Sequence, residues 1–326
     1  LSASLRGGDW TTVRGVSPTP EDQLNDLLDV LDLTFEGKTT ARISSLEGAV
    51  ENLYDNEGEV FVGRSQPMPH GRVFGGQVLA QCVVAAGRTM DVDDGDGPRH
   101  IHSLHGYFLR PGDANRPIRF LVDRMRDGGS FSARRVHAVQ DGRILLSMIT
   151  SFQELSDGLD HQIPMPDVPH PEDLRPDADL LSRIDHPVAQ HAAARAVELR
   201  HVERQLIQGT DVERSERQSV WMRLPGHLPD DPHLHAAVLA YASDYSLLEP
   251  VMRRHGIMWG DERLRIASLD HGMWFHRPAR ADQWVLYTQL SPSAQGGRGL
   301  GLGHMFSEDG KLLATVGQEG MTRLKE

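Results

Sequence analysis

The sequence predicts an α+β fold of two similar units in tandem, each an antiparallel sheet wrapped around a central helix. Three observations carry this. The chain repeats itself. Tyr107-Phe108-Leu109-Arg110-Pro111 answers to Trp274-Phe275-His276-Arg277-Pro278, so that Arg110 and Arg277 stand 167 residues apart. Asp141-Gly142-Arg143-Ile144-Leu145 answers to Asp309-Gly310-Lys311-Leu312-Leu313 at a spacing of 168. Two matches at nearly one spacing point to a duplicated unit. Each half also runs in the same order, one apolar helix and then a series of strands, the pattern of a sheet that buries its helix. Finally, Asp141-Gly142 and Asp309-Gly310 each sit between strand-like runs, as two-residue hairpin turns do.

In chain order, residues 1–20 read as a flexible arm and 21–155 as the first unit. Its helix is expected over Gln77–Met90, rich in alanine and leucine with few breakers. Strands are expected over Ile101–Leu109, Ile118–Arg126, Ser130–Val139 and Ile144–Glu154. Residues 156–195 read as a linker, weakly periodic and rich in Pro, Asp and His over Ser156–Asp185. The second unit, 196–326, repeats the scheme. Its helix is expected over Leu234–Arg254 and its strands over Arg265–His276, Trp284–Leu290, Gly297–Phe306 and Lys311–Met321.

The 326 residues suffice for two domains of ordinary size. A formal net charge of −12 argues against nonspecific nucleic-acid binding. It leaves room for an anionic substrate, since a local arginine cluster can oppose the global charge. Lysine is confined to Lys38, Lys311 and Lys325. No run approaches the roughly 20 apolar residues of a membrane span, and no basic segment with an apolar run opens the chain, so neither a span nor a signal peptide is expected. The chain opens on Leu1 rather than Met, which leaves its natural start open, and it ends Leu324-Lys325-Glu326, not a peroxisomal tripeptide. Cys82, the one cysteine, rules out a disulfide framework and a multi-cysteine metal site and is expected in the core of its helix. A cytoplasmic setting is expected.

Six stretches closely resemble the acyl-CoA thioesterase II (TesB-type) family. They are Arg72-Val73-Phe74-Gly75-Gly76-Gln77-Val78, His105 to Asp113, Asp127 to Arg135, Tyr241-Ala242-Ser243-Asp244-Tyr245, Leu269 to Pro278 and Val316-Gly317-Gln318-Glu319-Gly320. They follow in the family's order between about Leu24 and Arg323. The resemblance implies a double hotdog, the α+β class read above. It also implies hydrolysis of fatty acyl-CoA to free acid and CoA without metal or organic cofactor, and an Asp, a Thr and a Gln of the second unit that position the attacking water. These fall on Asp244, Ser268 and Gln318. Serine in place of threonine keeps the hydroxyl but loses the methyl that fixes its rotamer. About twenty residues around 38–58 (GKTTARISSLEGAVENLYDN) have no counterpart in the family. They suit an extra helix or hairpin near the substrate entrance.

The chemistry suits these residues. A carboxylate within hydrogen-bond reach can take the proton of an attacking water. Asp244 interrupts an apolar run from Ala236 to Leu248, where an acid must be paired, exposed or functional. At the repeat spacing Asp244 falls on Gln77, Ser268 on Ile101 and Gln318 on Thr150, so the first unit lacks the carboxylate and one active centre per chain is expected. Gly75, Gly76 and Gln77 open the first-unit helix. There they are either a plain turn into the helix or an oxyanion and substrate-binding loop of backbone N–H groups. In the second case a bulky residue at Gly76 should cut turnover and leave the fold intact. Arg72, Arg134, Arg135 and Arg298 are candidate contacts for the CoA phosphates.

Simpler readings stand beside these. Asp244 on spacing alone also fits a solvent face, Gln318 and Ser268 ordinary strand positions, and Asp270-His271 a structural pair. His233 and His235 alternate as metal ligands can, but no acid–histidine motif completes a set. Gly299 to Gly303 fits an alternating strand better than a dinucleotide loop, since no helix follows. A non-catalytic acyl-CoA-binding protein and a hotdog enoyl-CoA hydratase are the competing functions. The hydratase wants a histidine about five residues after the aspartate, where this chain has Glu249. Exposed sheet edges suggest a homo-oligomer.

Overall fold

A computed structural model describes residues 19–39, 58–90, 98–208 and 213–325. The arm expected over 1–20 therefore lies almost wholly outside the described residues, and so do 40–57 of the extra segment.

Helix α1 (Pro20–Leu31) starts from a capping box. The Asp22 N–H donates to Thr19 Oγ1 at 3.2 Å, and the Thr19 N–H donates to Asp22 Oδ2 at 2.8 Å. Its buried Leu27, Val30 and Leu31 recur at helical spacing. Strands β1 (Thr34–Thr39) and β2 (Gly58–Gly63) pair with Thr39 opposite Gly58, so the two ends of the extra segment meet at the connecting end of this strand pair. Helix α2 (Gly75–Gly87) is buried from Gly76 onward. The meander follows as β3 (Arg99–Phe108), β4 (Ile118–Asp127), β5 (Phe131–Gln140) and β6 (Arg143–Glu154). Two short helices, α3 (Asp177–Leu181) and α4 (Pro187–Ala193), precede β7 (Glu198–His201) and β8 (Arg217–Arg223). Next come helices α5 (Pro232–Ser243) and α6 (Glu249–His255). The chain closes with β9 (Leu264–Ser268), β10 (Asp270–Phe275), β11 (Val285–Gln295), β12 (Arg298–Ser307) and β13 (Leu312–Leu324).

The strands form one antiparallel sheet whose halves share a single order. The first half runs β1-β2-β4-β5-β6-β3 and the second β7-β8-β11-β12-β13-β10. Antiparallel pairing of β3 with β10, His105 opposite Gly272 and Gly106 opposite His271, joins them. The fold is a double hotdog. Helix α2 packs on β3 to β6 in the first half, and α6 packs on β8, β11 and β12 in the second. Helix α5 lies antiparallel against α2: a Cβ on Gly76 would meet the Tyr241 carbonyl, and one on Gly87 would meet His233.

Four features differ from the sequence expectation. The helix expected over Leu234–Arg254 is two helices with a turn at 244–248. Pro250 explains the break, since in a continuous helix its ring would clash with the Ser246 carbonyl and no N–H would bond it. The strand expected over Arg265–His276 is divided at Leu269, whose N–H donates to Glu319 O at 2.9 Å. Asp141-Gly142 is a two-residue turn with φ of 52° and 70°, the signature of a primed turn, whereas at Asp309-Gly310 only the glycine has positive φ and the loop spans 308–311. The stretch 156–195 is more ordered than a bare crossing. Met165, Val168 and Leu174 pack on Trp221 and Trp284, and buried Asp177 of α3 takes a 2.6 Å bond from His201. Cys82 is buried in the core, as expected, and burial pushes its thiol far above the ordinary range.

Candidate active site

Three local features converge where the two halves meet. Helix α5 stops at Ser243, which leaves Asp244 at its C-terminal cap beside the turn. Strand β9 ends on Ser268, opposite Gly320 of β13. Alternation along β13 turns Gln318 inward, where it is buried. The Gln318 amide donates to Asp244 Oδ1 at 2.8 Å and to Ser268 Oγ at 2.5 Å. The Ser268 hydroxyl donates to the same Oδ1 at 3.3 Å. Asp244, Ser268 and Gln318 thus form one hydrogen-bonded cluster.

The carboxylate is partly buried and its pKa rises to about 6. Desolvation is the main cause, and the donors from Gln318, the Gly76 N–H and Ser268 oppose it. An acid poised there is ionised at neutral pH yet basic enough to accept a proton.

His271, one strand residue from the cluster, fixes it from behind. Both Gln318 amide hydrogens point at Asp244 and Ser268, so its Oε1 must take a hydrogen from His271 Nδ1, 3.0 Å away. His271 Nε2 is then the acceptor facing the Ser243 hydroxyl at 2.9 Å. Burial holds the His271 pKa down at about 4, in keeping with this neutral tautomer. Sequence reasoning weighed His271, with Asp270, either as an assistant to the chemistry or as half of a structural pair. Asp270 instead accepts the Glu319 N–H at 2.7 Å and holds the divided strand in place. No spacing rule signals a histidine that acts on a glutamine 47 residues later.

The start of α2 faces the cluster. A Cβ on Gly75 would lie 2.6 Å from Asp244 Oδ2, so only glycine permits this approach. The Gly76 N–H favours the charged form of that carboxylate. Phe74, the helix N-cap, supplies no side-chain cap, and among the described residues the N–H groups of Gly75 and Gln77 have no acceptor. These two remain for a developing negative charge. The Gln77 side chain is turned away and buried, accepting from the Gln66 N–H at 2.9 Å and donating to Gln81 at 3.0 Å, so Gln77 offers the site backbone alone.

The four arginines separate. Arg72 is exposed in the loop before α2. Arg134 needs correction as a phosphate contact. It is 1% exposed, and its guanidinium already donates to Thr89, Arg126, Ala133 and Asp127. Arg135 points from the opposite face of β5, away from α2, and Arg298 is bonded to Glu319 at 3.0 Å. His235 Nδ1 accepts the Ala281 N–H, and His233 packs edge-on against Phe152. Among the described residues no group of three or more His, Cys, Asp and Glu side chains is placed to hold a metal ion. Nor is any described helix long and apolar enough to cross a membrane.

Comparison with known proteins points to one family. Residues 188–321 match the family model described as acyl-CoA thioesterase, and 64–153 match the acyl-CoA thioesterase N-terminal domain. The chain is 37% identical to acyl-coenzyme A thioesterase 8 of Homo sapiens over 86% of its length and 90% of the human protein. It is 36% identical to acyl-CoA thioesterase 2 of Haemophilus influenzae over 82% of its length and 93% of that protein. Among solved structures, the acyl-CoA thioesterase II TesB2 of Mycobacterium marinum is 40% identical with a TM-score of 0.69, covering 92% of this chain and 99% of that one.

Proposed function

Since the chain belongs to the acyl-CoA thioesterase family and is therefore a thioester hydrolase, we propose that it cleaves fatty acyl-CoA with a water activated by Asp244. The observation that carries this reading is the shared cluster of Asp244, Ser268 and Gln318 against the start of α2. In the proposed step Asp244 takes a proton from water as the oxygen attacks the thioester carbonyl carbon. Negative charge gathers on the carbonyl oxygen, near the N–H groups of Gly75 and Gln77. The tetrahedral intermediate then expels CoA as its thiolate and leaves the free acid. Ser268 and Gln318 hold the carboxylate and the water in register, and His271 keeps the Gln318 amide from turning over. The division into units at 21–155 and 196–326 rests on the repeated strand order. Self-association belongs to the same reading, because Tyr107, Ile149 and Trp274 put large apolar surface on the outside of adjacent strands. A cytoplasmic setting is proposed on composition alone.

Thiol release from acyl-CoA esters of graded chain length tests the reading. Wild type should release CoA from at least one of them, and Gln318→Ala should slow release by about 10²-fold. Silence from wild type across the whole series would return the binding-protein alternative to first place. Buried Cys82, with its raised pKa, should add little background.

The acid limb of the kcat/KM profile should have an apparent pKa of about 6, because the base works only when ionised. Ser268→Ala removes one donor that favours the ionised form, so this limb should move to higher pH. A limb that stays in place in the variant would show that Ser268 does not act on Asp244.

A further inference from the structure

We propose that His70, Arg72, His191 and Arg195 form the docking site for the phosphate groups of the CoA moiety, a deepening that rests on the hydrolase reading above. A chain of net charge −12 repels a polyanion, so productive approach needs a local patch of the opposite sign. Many arginines cannot supply it. Arg64, Arg88, Arg116, Arg119 and Arg280, for example, are each held by an aspartate or glutamate. Arg72 and Arg195 differ, having no carboxylate partner among the described residues.

Two separate pieces of chain bring the four groups together, the loop before α2 and the end of α4. The charge of Arg72 reaches His70, and those of Arg195 and His70 reach His191. Burial above all, and then these neighbours, hold both histidines below their ordinary range, and no acid offsets them. The two guanidinium groups are left unneutralised beside neutral, hydrogen-bonding imidazoles, a setting that favours an anion.

The cluster also sits at the right place. Arg195 lies over the Tyr245 ring with 4.3 Å from Cζ to the centroid, and Tyr245 stacks on Phe74 at 5.0 Å. Phe74 immediately precedes Gly75, which abuts Asp244. The ring fixes the guanidinium plane and leaves its edge N–H groups for a ligand. Arg72 is three residues before Gly75, so its Cα lies at most about 10 Å from that glycine. The Arg72 N–H donates to His70 Nδ1 at 3.1 Å, so the neutral ring carries its hydrogen on Nε2, a further donor. A ligand phosphorylated at one end can thus meet cations beside the start of α2 while its thioester reaches the carboxylate.

Calorimetric titration with CoA tests the site directly, and kinetics test it in use. Arg72→Gln and Arg195→Gln should each weaken CoA binding about ten-fold, the loss of one charge-assisted contact. Exposed Arg175→Gln, in the linker, should stay within about two-fold. Preference for acyl-CoA over the N-acetylcysteamine thioester of the same acid, which has no phosphate, should fall by a similar factor in the first two variants. Unchanged CoA affinity in both, or equal losses on the two thioesters, would overturn the docking site. If wild type cleaves neither thioester, the hydrolase reading falls, while the CoA titration still decides for or against the anion site.

Discussion

Asp244→Asn is expected to lower kcat/KM for acyl-CoA by about 10³-fold, the scale of a positioned general base, and at the same time to make the protein harder to unfold at neutral pH. Both follow from one fact. The carboxylate is placed where desolvation disfavours its charge, and its donors only partly compensate, so its pKa stands at about 6 against an ordinary 3.8. Between those two values the folded chain holds a proton that the unfolded chain has lost. Stability contributed by this group therefore falls as pH rises from about 4 to about 6, by up to about 3 kcal/mol. Asparagine has no charge to desolvate and avoids that loss. It still accepts from Gln318 and Ser268 through its amide oxygen, but its NH₂ group opposes one remaining donor, which returns about 1 kcal/mol. A net gain of about 2 kcal/mol is expected above pH 7, and none near pH 4. Thermal melts of both proteins at the two pH values, run beside thiol-release assays, check the pair of effects. Hydrolysis within ten-fold of wild type would remove Asp244 from the role of base. A stability difference equal at both pH values would show that its carboxyl is not strained by burial.

Much of this site could be read from the residues because it lies at the ends of elements. Asp244 stands out as an acid in an apolar run, and Pro250 six residues later marks where that run must stop being helix, although the continuous helix expected over Leu234–Arg254 overlooked it. Ser268 and Gln318 lie far apart along the chain and meet only through β9–β13 pairing, so their partnership was legible through family resemblance and not through spacing. The short outer strands β1, β2, β7 and β8 escaped notice because four to seven residues with mixed burial leave little periodic signal. Arg134 and Arg135 show a sharper limit. Adjacent strand residues point to opposite faces, and nothing local tells which of two arginines goes inside. The choice falls to Thr89 at the end of α2, whose hydroxyl and carbonyl receive the Arg134 guanidinium. Arg195 was invisible for a similar reason, since its place is set by the face of Tyr245, fifty residues on.

Gly76→Ala should damage stability and catalysis together, which corrects the expectation that a larger residue here spares the fold. The new methyl carbon would begin 2.3 Å from the Tyr241 carbonyl oxygen and 2.6 Å from the Phe74 ring. A ring can swing aside, but the carbonyl belongs to the backbone of α5, so relief requires α2 and α5 to part. Overpacking of this kind costs about 3 kcal/mol and should lower Tm by several degrees. The same movement draws the Gly76 N–H from the Asp244 carboxylate and tilts the neighbouring N–H groups from the carbonyl they are proposed to receive, so kcat should fall by about 10²-fold. Gly129→Ala supplies the comparison. No atom lies within 4 Å of the added carbon there, and a change within about 0.5 kcal/mol is expected. A Gly76→Ala protein that melts like wild type yet turns over slowly would mean that the helices yield at little cost and that glycine is needed for the ligand. One that melts early and keeps its turnover would mean that the close approach serves packing alone. Only the joint loss fits a helix start that both seals the interface between the halves and holds the Asp244 carboxylate.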